Sequence, residues 1–263
     1  MNSTSLPAAA VSAAPKDRPT GVSGEQLTVR VARGKGDDRR FEEFQVPLRE
    51  SQTVLDIVTW IQRNAEPALA YRFACRVGVC GSCAMTVNGR PRWTCRTHVS
   101  KVMGKDGTLT IEPLRNLPRI KDLVVDMARF FEKWQEAGGR FAGNEDRTSP
   151  LARIDPQSAG RRAVDEGIEC INCAVCYAAC DVVAWDEEYL GPAALNRAWT
   201  LVNDERHAEK RDTMRKVSRS SGCHSCHSHG SCVEHCPVGL NPTAGIAGLK
   251  RRSVLQLLWR NGD

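Results

Sequence analysis

The chain has 263 residues, a formal net charge of +6 and twelve cysteines, long enough for two ordinary domains that each bury a core of their own. No apolar run approaches the roughly 20 residues of a membrane-spanning helix. Basic residues are scattered rather than set in a stripe with aromatics, which argues against nucleic acid and leaves an acidic partner or anionic lipid head groups as the attraction.

The first 24 residues are mostly Ala, Ser, Pro and Thr, the composition of a disordered N-terminal tail. They contain no continuous apolar core of a secretory signal, and with no arginine before Arg18 they make a poor mitochondrial presequence, so a reducing cytoplasm is the expected home. From Gln26 the alternation Gln-Leu-Thr-Val-Arg-Val-Ala-Arg predicts a half-buried strand that stops at Gly34, and Phe41 to Val46 predicts a second. Ser51-Gln52-Thr53 ahead of Val54, Leu55, Ile57, Val58 and Ile61 predicts a capped helix that ends before Pro67. Two strands and a helix make the start of an α+β unit.

Cys75-x4-Cys80-x2-Cys83 comes next, and Cys95 follows after a strand over 84–87, an Asn88-Gly89 turn and Pro91-Arg92-Trp93-Thr94. This is the plant-type C-x4-C-x2-C…C pattern of a 2Fe-2S cluster. Gly78 and Gly81 suit a loop that brings its amides close to sulfur, since glycine tolerates the backbone angles this requires. The alternatives are zinc or free thiols, but zinc sites more often pair C-x2-4-C knuckles with one another.

Thr108 to Glu112 predicts the closing strand of this unit, with Pro113 to Pro118 as its exit. A helix is predicted from Ile120 to about Ala137, carrying Leu123, Val124, Met127, Phe130, Phe131 and Trp134 on one stripe until Gly138-Gly139 stops it. Residues 139–160 are expected to be irregular. Then Cys170-x2-Cys173-x2-Cys176-x3-Cys180 repeats the bacterial ferredoxin run, in which the fourth cysteine ligates the other cluster of a pair. A second copy reads Cys226-x2-His229-x2-Cys232-x3-Cys236-Pro237, with histidine where the second cysteine belongs. The chain is therefore expected to fold back so that each run completes the other's cluster, with two helices in between around Gly191-Pro192-Ala193-Ala194. The clustering of all these thiols with two-residue gaps argues against a disulfide framework.

Cys75-Arg76-Val77-Gly78-Val79-Cys80-Gly81-Ser82-Cys83, the run from Cys170 to Cys180, Gly191-Pro192-Ala193-Ala194-Leu195 and Cys232-x3-Cys236-Pro237-Val238-Gly239-Leu240-Asn241-Pro242 together resemble the iron-sulfur subunit of succinate dehydrogenase and fumarate reductase, over about Gln26 to Lys250. The resemblance implies an α+β chain with a disordered tail over 1–24, a β-grasp plant-type ferredoxin domain over 25–116 and an all-helical bacterial-ferredoxin-like domain over 117–263. It implies that Cys75, Cys80, Cys83 and Cys95 hold a 2Fe-2S cluster, Cys170, Cys173, Cys176 and Cys236 a 4Fe-4S cluster, and Cys180, Cys226 and Cys232 a 3Fe-4S cluster. The implied partners are an FAD-bearing flavoprotein subunit and a quinone-binding transmembrane anchor, with the chain peripheral on the cytoplasmic side of a bacterial inner membrane. Trp185 and His227 occupy the positions that border the quinone in this family, and Lys250 that of a lysine near the last cluster. Trp185 as plain core and Lys250 as plain surface are the competing readings.

The chain departs from the family twice. Asp181 replaces the usual proline after Cys180, where a carboxylate could pass a proton to the quinone, lower the cluster's potential, or stand idle in solvent. His229 stands at the vacancy that makes a 3Fe-4S cluster, and imidazole ligates iron in some clusters, so the expectation divides between 3Fe-4S and a fourth iron held by His229. Cys223 is an additional thiol without an expected role. No residue looks like a catalytic acid, base or nucleophile for dicarboxylate chemistry, so the expected function is one-electron relay within a succinate:quinone or quinol:fumarate oxidoreductase. The alternative is a ferredoxin-like adaptor of another, soluble reductase complex. The basic final helix, Leu249 to Arg260, is expected to be amphipathic and suited to a membrane surface or another subunit.

Overall fold

A computed structural model of the protein describes residues 25–146 and 148–260; the N-terminal tail expected over 1–24 lies outside them. The alternation read at the start of the chain becomes strand β1 (Gln26–Arg33), which pairs antiparallel with β2 (Arg40–Pro47) and buries Leu27, Val29 and Val31. Helix α1 (Val54–Asn64) begins on Thr53, whose hydroxyl accepts from the Asp56 amide at 3.3 Å while the Asp56 carboxylate accepts from the Thr53 amide at 3.0 Å. Both orphan donors of the first turn are thereby satisfied. Strands β3 (Ala84–Val87), β4 (Arg90–Trp93) and β5 (Thr108–Glu112) complete a five-stranded sheet of order β2-β1-β5-β3-β4, in which only the β1 and β5 pair is parallel. Val54, Ile57, Val58 and Ile61 of α1 pack on Val29, Val31, Met85, Leu109 and Ile111 to form the core of this unit.

The helix predicted from Ile120 to Ala137 forms only in its second half. Residues 119–125 make a short hairpin of β6 (Arg119–Lys121) and β7 (Val124–Val125), and α2 spans Ala128–Glu136. Asp122 is the reason. Its φ of 49° is left-handed, and its buried carboxylate accepts from the Gly34 amide at 3.0 Å, the Ala70 amide at 2.9 Å and Arg33 Nε at 3.1 Å. Three long-range donors, with Leu123 driven into the sheet's core, outweigh the helical stripe. This hairpin ties the connection between the units to the first of them.

Every later named element is helical: α3 (Ala159–Val164), α4 (Val175–Ala178), α5 (Asp181–Trp185), α6 (Pro192–Asn203), α7 (Lys210–Val217), α8 (Ser231–Glu234) and α9 (Pro242–Arg260). The segment between the two cysteine runs thus carries three helices rather than two, because α5 starts directly after Cys180. Helix α6 lies at the centre, with Leu195, Ala198 and Val202 packed among Tyr177, Val182, Tyr189, Met214, Ile246 and Leu249. Gly245 and Gly248 let α9 cross α6 closely, since a Cβ on them would stand 3.0 and 2.4 Å from the Trp199 ring.

Among the described side chains of α9, apolar residues occur on both the buried and the exposed sides. Ile246, Leu249 and Ser253 are buried while Val254 and Leu255 are exposed. Lys250 and Arg252 turn inward, donating to the carbonyls of Cys226 at 2.6 Å and Val202 at 3.1 Å. Among the described residues no helix is long and apolar enough to cross a membrane.

Candidate metal centres

The loop between α1 and β3 wraps Cys75. Amides of Val77 and Val79 each donate to its sulfur at 3.4 Å, and its own amide donates to Cys80 Sγ at 3.5 Å. Left-handed backbone at Arg76, Gly78 and Gly81 turns these amides inward. The Val79 and Val77 donors bring the Cys75 thiol down to about 6, which favours the thiolate a metal centre requires. Cys83 and Cys95, brought together by β3 and the turn after β4, are buried. Burial, then the neighbouring Cys83, pushes Cys95 up to about 12 against the opposing Gly78 amide.

The helical unit contains an internal repeat at one constant offset. The 3-10 turn Gly167–Glu169 corresponds to Cys223–Ser225, Cys170 to Cys226, Cys173 to His229, Cys176 to Cys232, α4 to α8 and Cys180 to Cys236. The backbone repeats too: Asn172 (φ 56°) and Ala174 (φ 61°) match Ser228 (φ 59°) and Gly230 (φ 81°), all left-handed. This shape aims amides at sulfur, from Asn172 to Cys170 and, at 3.4 Å, from Ser228 to Cys226.

The fourth cysteines cross. Cys170, Cys173, Cys176 and Cys236 line one cavity, together with Ala193 and Leu240. Cys180, Cys226 and Cys232 line another, together with Tyr189, His227 and His229. Burial raises the thiols of Cys170, Cys176, Cys180 and Cys232 above their ordinary value and Cys173 to about 11, and neighbouring sulfurs within each set add to the rise for Cys170, Cys176, Cys180 and Cys232. Buried thiolates crowded in this way need positive charge at their centre, and binding metal releases their protons. Among the described residues no three His, Cys, Asp or Glu side chains are set to hold a single metal ion. Sulfurs that ring a cavity, with amide or hydroxyl groups at Cys170, Cys173, Cys180, Cys226 and Cys232, fit an inorganic cluster.

Trp185, 62% exposed, meets the rings of His227 and His229 edge-on at 6.2 and 6.1 Å, and the two imidazoles stack at 5.9 Å. Trp185 and His227, expected near the quinone, therefore form one aromatic group with His229 beside the Cys180 cavity, and Lys250 is anchored to the Cys226 carbonyl rather than loose on the surface. Asp181 is exposed in the first turn of α5, where its charge suits the helix dipole. Cys223 is fully buried, its thiol raised by burial.

Three contributors escaped the sequence reading. Asn116 donates to the carbonyls of Tyr177 and Cys180, both at 3.1 Å. Thr243 lies 3.3 Å from Cys232 Sγ, and Tyr189, 1% exposed, has its hydroxyl at Cys226. The aromatic ahead of Gly191-Pro192 was the one signal available for Tyr189; the other two are set by contacts distant in the chain.

A sheet unit that gathers four thiols, joined to a helical unit that crosses two cysteine runs, defines an iron-sulfur electron carrier. Residues 28–132 match the family described as a 2Fe-2S iron-sulfur cluster binding domain, and residues 169–241 that described as a 4Fe-4S dicluster domain. The chain is 34% identical over 221 residues to the fumarate reductase iron-sulfur subunit of Mycobacterium tuberculosis, covering 83% of this chain and 87% of that protein. It is 34% identical over 212 residues to a mitochondrial succinate dehydrogenase [ubiquinone] iron-sulfur subunit of Oryza sativa, covering 80% and 74%. A chain of the Mycobacterium smegmatis Sdh1 complex in the apo form superimposes with a TM-score of 0.77 at 29% identity, over 88% of this chain and 96% of that one. The protein belongs to the iron-sulfur subunits of fumarate reductase and succinate dehydrogenase. It is the electron-transfer component of an oxidoreductase, with a 2Fe-2S and a 4Fe-4S dicluster binding domain.

Proposed function

We propose that the protein relays single electrons between an FAD-bearing flavoprotein subunit and a quinone at a transmembrane anchor, as the peripheral iron-sulfur subunit of a succinate:quinone or quinol:fumarate oxidoreductase on the cytoplasmic side of a bacterial inner membrane. When bound, the clusters supply one-electron centres that couple a two-electron flavin to a two-electron quinone. Cys75, Cys80, Cys83 and Cys95 hold the 2Fe-2S cluster, Cys170, Cys173, Cys176 and Cys236 the 4Fe-4S cluster, and Cys180, Cys226 and Cys232 the 3Fe-4S cluster. The sheet unit is a β-grasp ferredoxin domain, with α1 packed across a mixed sheet, and the unit after it an all-helical ferredoxin domain.

The observation that carries this reading is the crossing of Cys180 and Cys236 into each other's cavities. Amides of Val77 and Val79, of Ser228, and of Val182 and Val183 donate to ligand sulfurs and stabilise the more negative, reduced state. Val77 and Val79, exposed beside Cys75, suit contact with the flavoprotein. Trp185, His227 and His229 suit the quinone end, with the His229 ring engaged in that aromatic group rather than on iron, and Lys250 holds the Cys226 backbone. In complex purified anaerobically, redox titration followed by EPR should resolve three centres, with a 3Fe-4S signal on oxidation and about nine iron atoms per chain. A preparation without iron and acid-labile sulfide would overturn the reading, and a third centre with a fourth iron would place His229 among the ligands.

A further inference from the structure

The seam between the two units is closed by Trp93. This residue ends β4, pairs with Ala84 of β3 and accepts a hydrogen bond at its carbonyl from Thr97. Its ring backs the cradle of the first site, where a Cβ on Gly78 would stand 3.0 Å from Trp93 Cζ3. On its other side lies the second site. Trp93 packs in one cluster with Leu55, Cys83, Cys95 and Val175, against which Cys173 is also packed. A Cβ on the neighbouring Gly81 would fall 2.6 Å from Cys173 Cβ, so the two ligand loops are in direct contact beside this indole.

The ring is 9% exposed and its Nε1 is buried without a hydrogen-bond partner of ordinary geometry among the described residues. An orphaned buried donor is destabilising unless something accepts from it. The acceptor at hand is sulfur: Cys173 packs against the cluster that contains Trp93, with the indole paired to its thiol. We propose that Trp93 is a positioning residue for the second centre, its indole N–H donating to Cys173 Sγ so that the sheet unit raises the reduction potential of the cluster held in the helical unit. The inference rests on the reading of Cys173 as a 4Fe-4S ligand. A donor aimed at ligand sulfur favours whichever state carries more negative charge, which is the reduced one.

The test is the purified complex with W93F, which keeps an aromatic ring and removes the N–H. Iron and acid-labile sulfide are assayed first, and each centre is then titrated. The expected result is a tenfold shift of the 4Fe-4S equilibrium toward the oxidised state, about 59 mV for one electron, with the 3Fe-4S midpoint unmoved. In wild-type complex carrying an isotopically labelled indole nitrogen, the reduced 4Fe-4S centre should show hyperfine coupling to that nucleus, which keeps the test open should W93F fail to fold. A fully loaded W93F with an unmoved midpoint, or a labelled wild type without coupling, overturns the proposal. Absence of the 4Fe-4S cluster from wild type and variant alike overturns the ligand assignment instead.

Discussion

At Gly81 a missing methyl group sets how near the two ligand loops come. The residue is left-handed, with φ of 71°, and faces Cys173. Gly81→Ala should therefore cost about 3 kcal/mol from backbone strain and the forced retreat of Cys173, measured as a lowered unfolding midpoint of the loaded complex. Asp122 makes a different demand. Burial opposes its charge, yet the Ala70 and Gly34 amides and Arg33 together hold its pKa below the ordinary carboxylate value. Its stabilisation is complete above about 3.9, where a free aspartate titrates, and is lost as pH falls through the lower native value. Asp122→Asn should cost about 3 kcal/mol at neutral pH by leaving the buried Arg33 without this partner. It should also flatten the acid limb of stability measured from pH about 6 downward. Neither residue announces this in the sequence, because their partners lie far away along the chain: Gly34 and Ala70 for Asp122, Cys173 for Gly81. The grouping of the cysteines was legible because their spacing is local.

Among the elements, those governed by nearby residues followed the sequence closely. Thr53 and Asp56 cap α1 three residues apart, and the alternation of β1 is its own burial pattern. The stripe from Leu123 to Trp134 misled because Asp122 bonds to another part of the fold and converts its first half into a hairpin. In helix α9 the basic run is drawn inward in part: Lys250 and Arg252 spend donors on the carbonyls of Cys226 and Val202. What α9 needs from sequence is smallness, since Gly245 and Gly248 seat against Trp199. Gly248→Ala should push α9 off α6 and cost about 1–3 kcal/mol. Because α9 also carries Thr243 to Cys232 and Lys250 to the Cys226 carbonyl, the third cluster should become more labile than the other two. Iron retention after mild chelation, read centre by centre by EPR, checks this.

For the molecule as a whole, the distinguishing test of the crossed runs is reciprocal. Cys236→Ser should remove the 4Fe-4S cluster, whose other ligands lie far upstream, and Cys180→Ser the 3Fe-4S cluster of the later run. The 2Fe-2S cluster should survive both, as its four thiols belong to the sheet unit. EPR of the three centres in each variant decides the matter, and loss of the centre within the mutated run would reverse the assignment. The reciprocity was legible because three cysteines at two-residue gaps fill one loop and the fourth, a turn later, cannot return to it. The seam through Trp93 was not legible, since nothing in Pro91-Arg92-Trp93-Thr94 says which unit the indole will meet.

The exchange of Cys180 and Cys236 also bears on the timing of biosynthesis. When synthesis has reached Cys180, the earlier run still lacks Cys236 and the later run does not yet exist. On the proposed ligand sets neither helical centre can close until residue 236 has been made, whereas the four thiols of the sheet unit are all present by residue 95. Metal delivery to the sheet unit can therefore begin well before either helical centre is able to accept it.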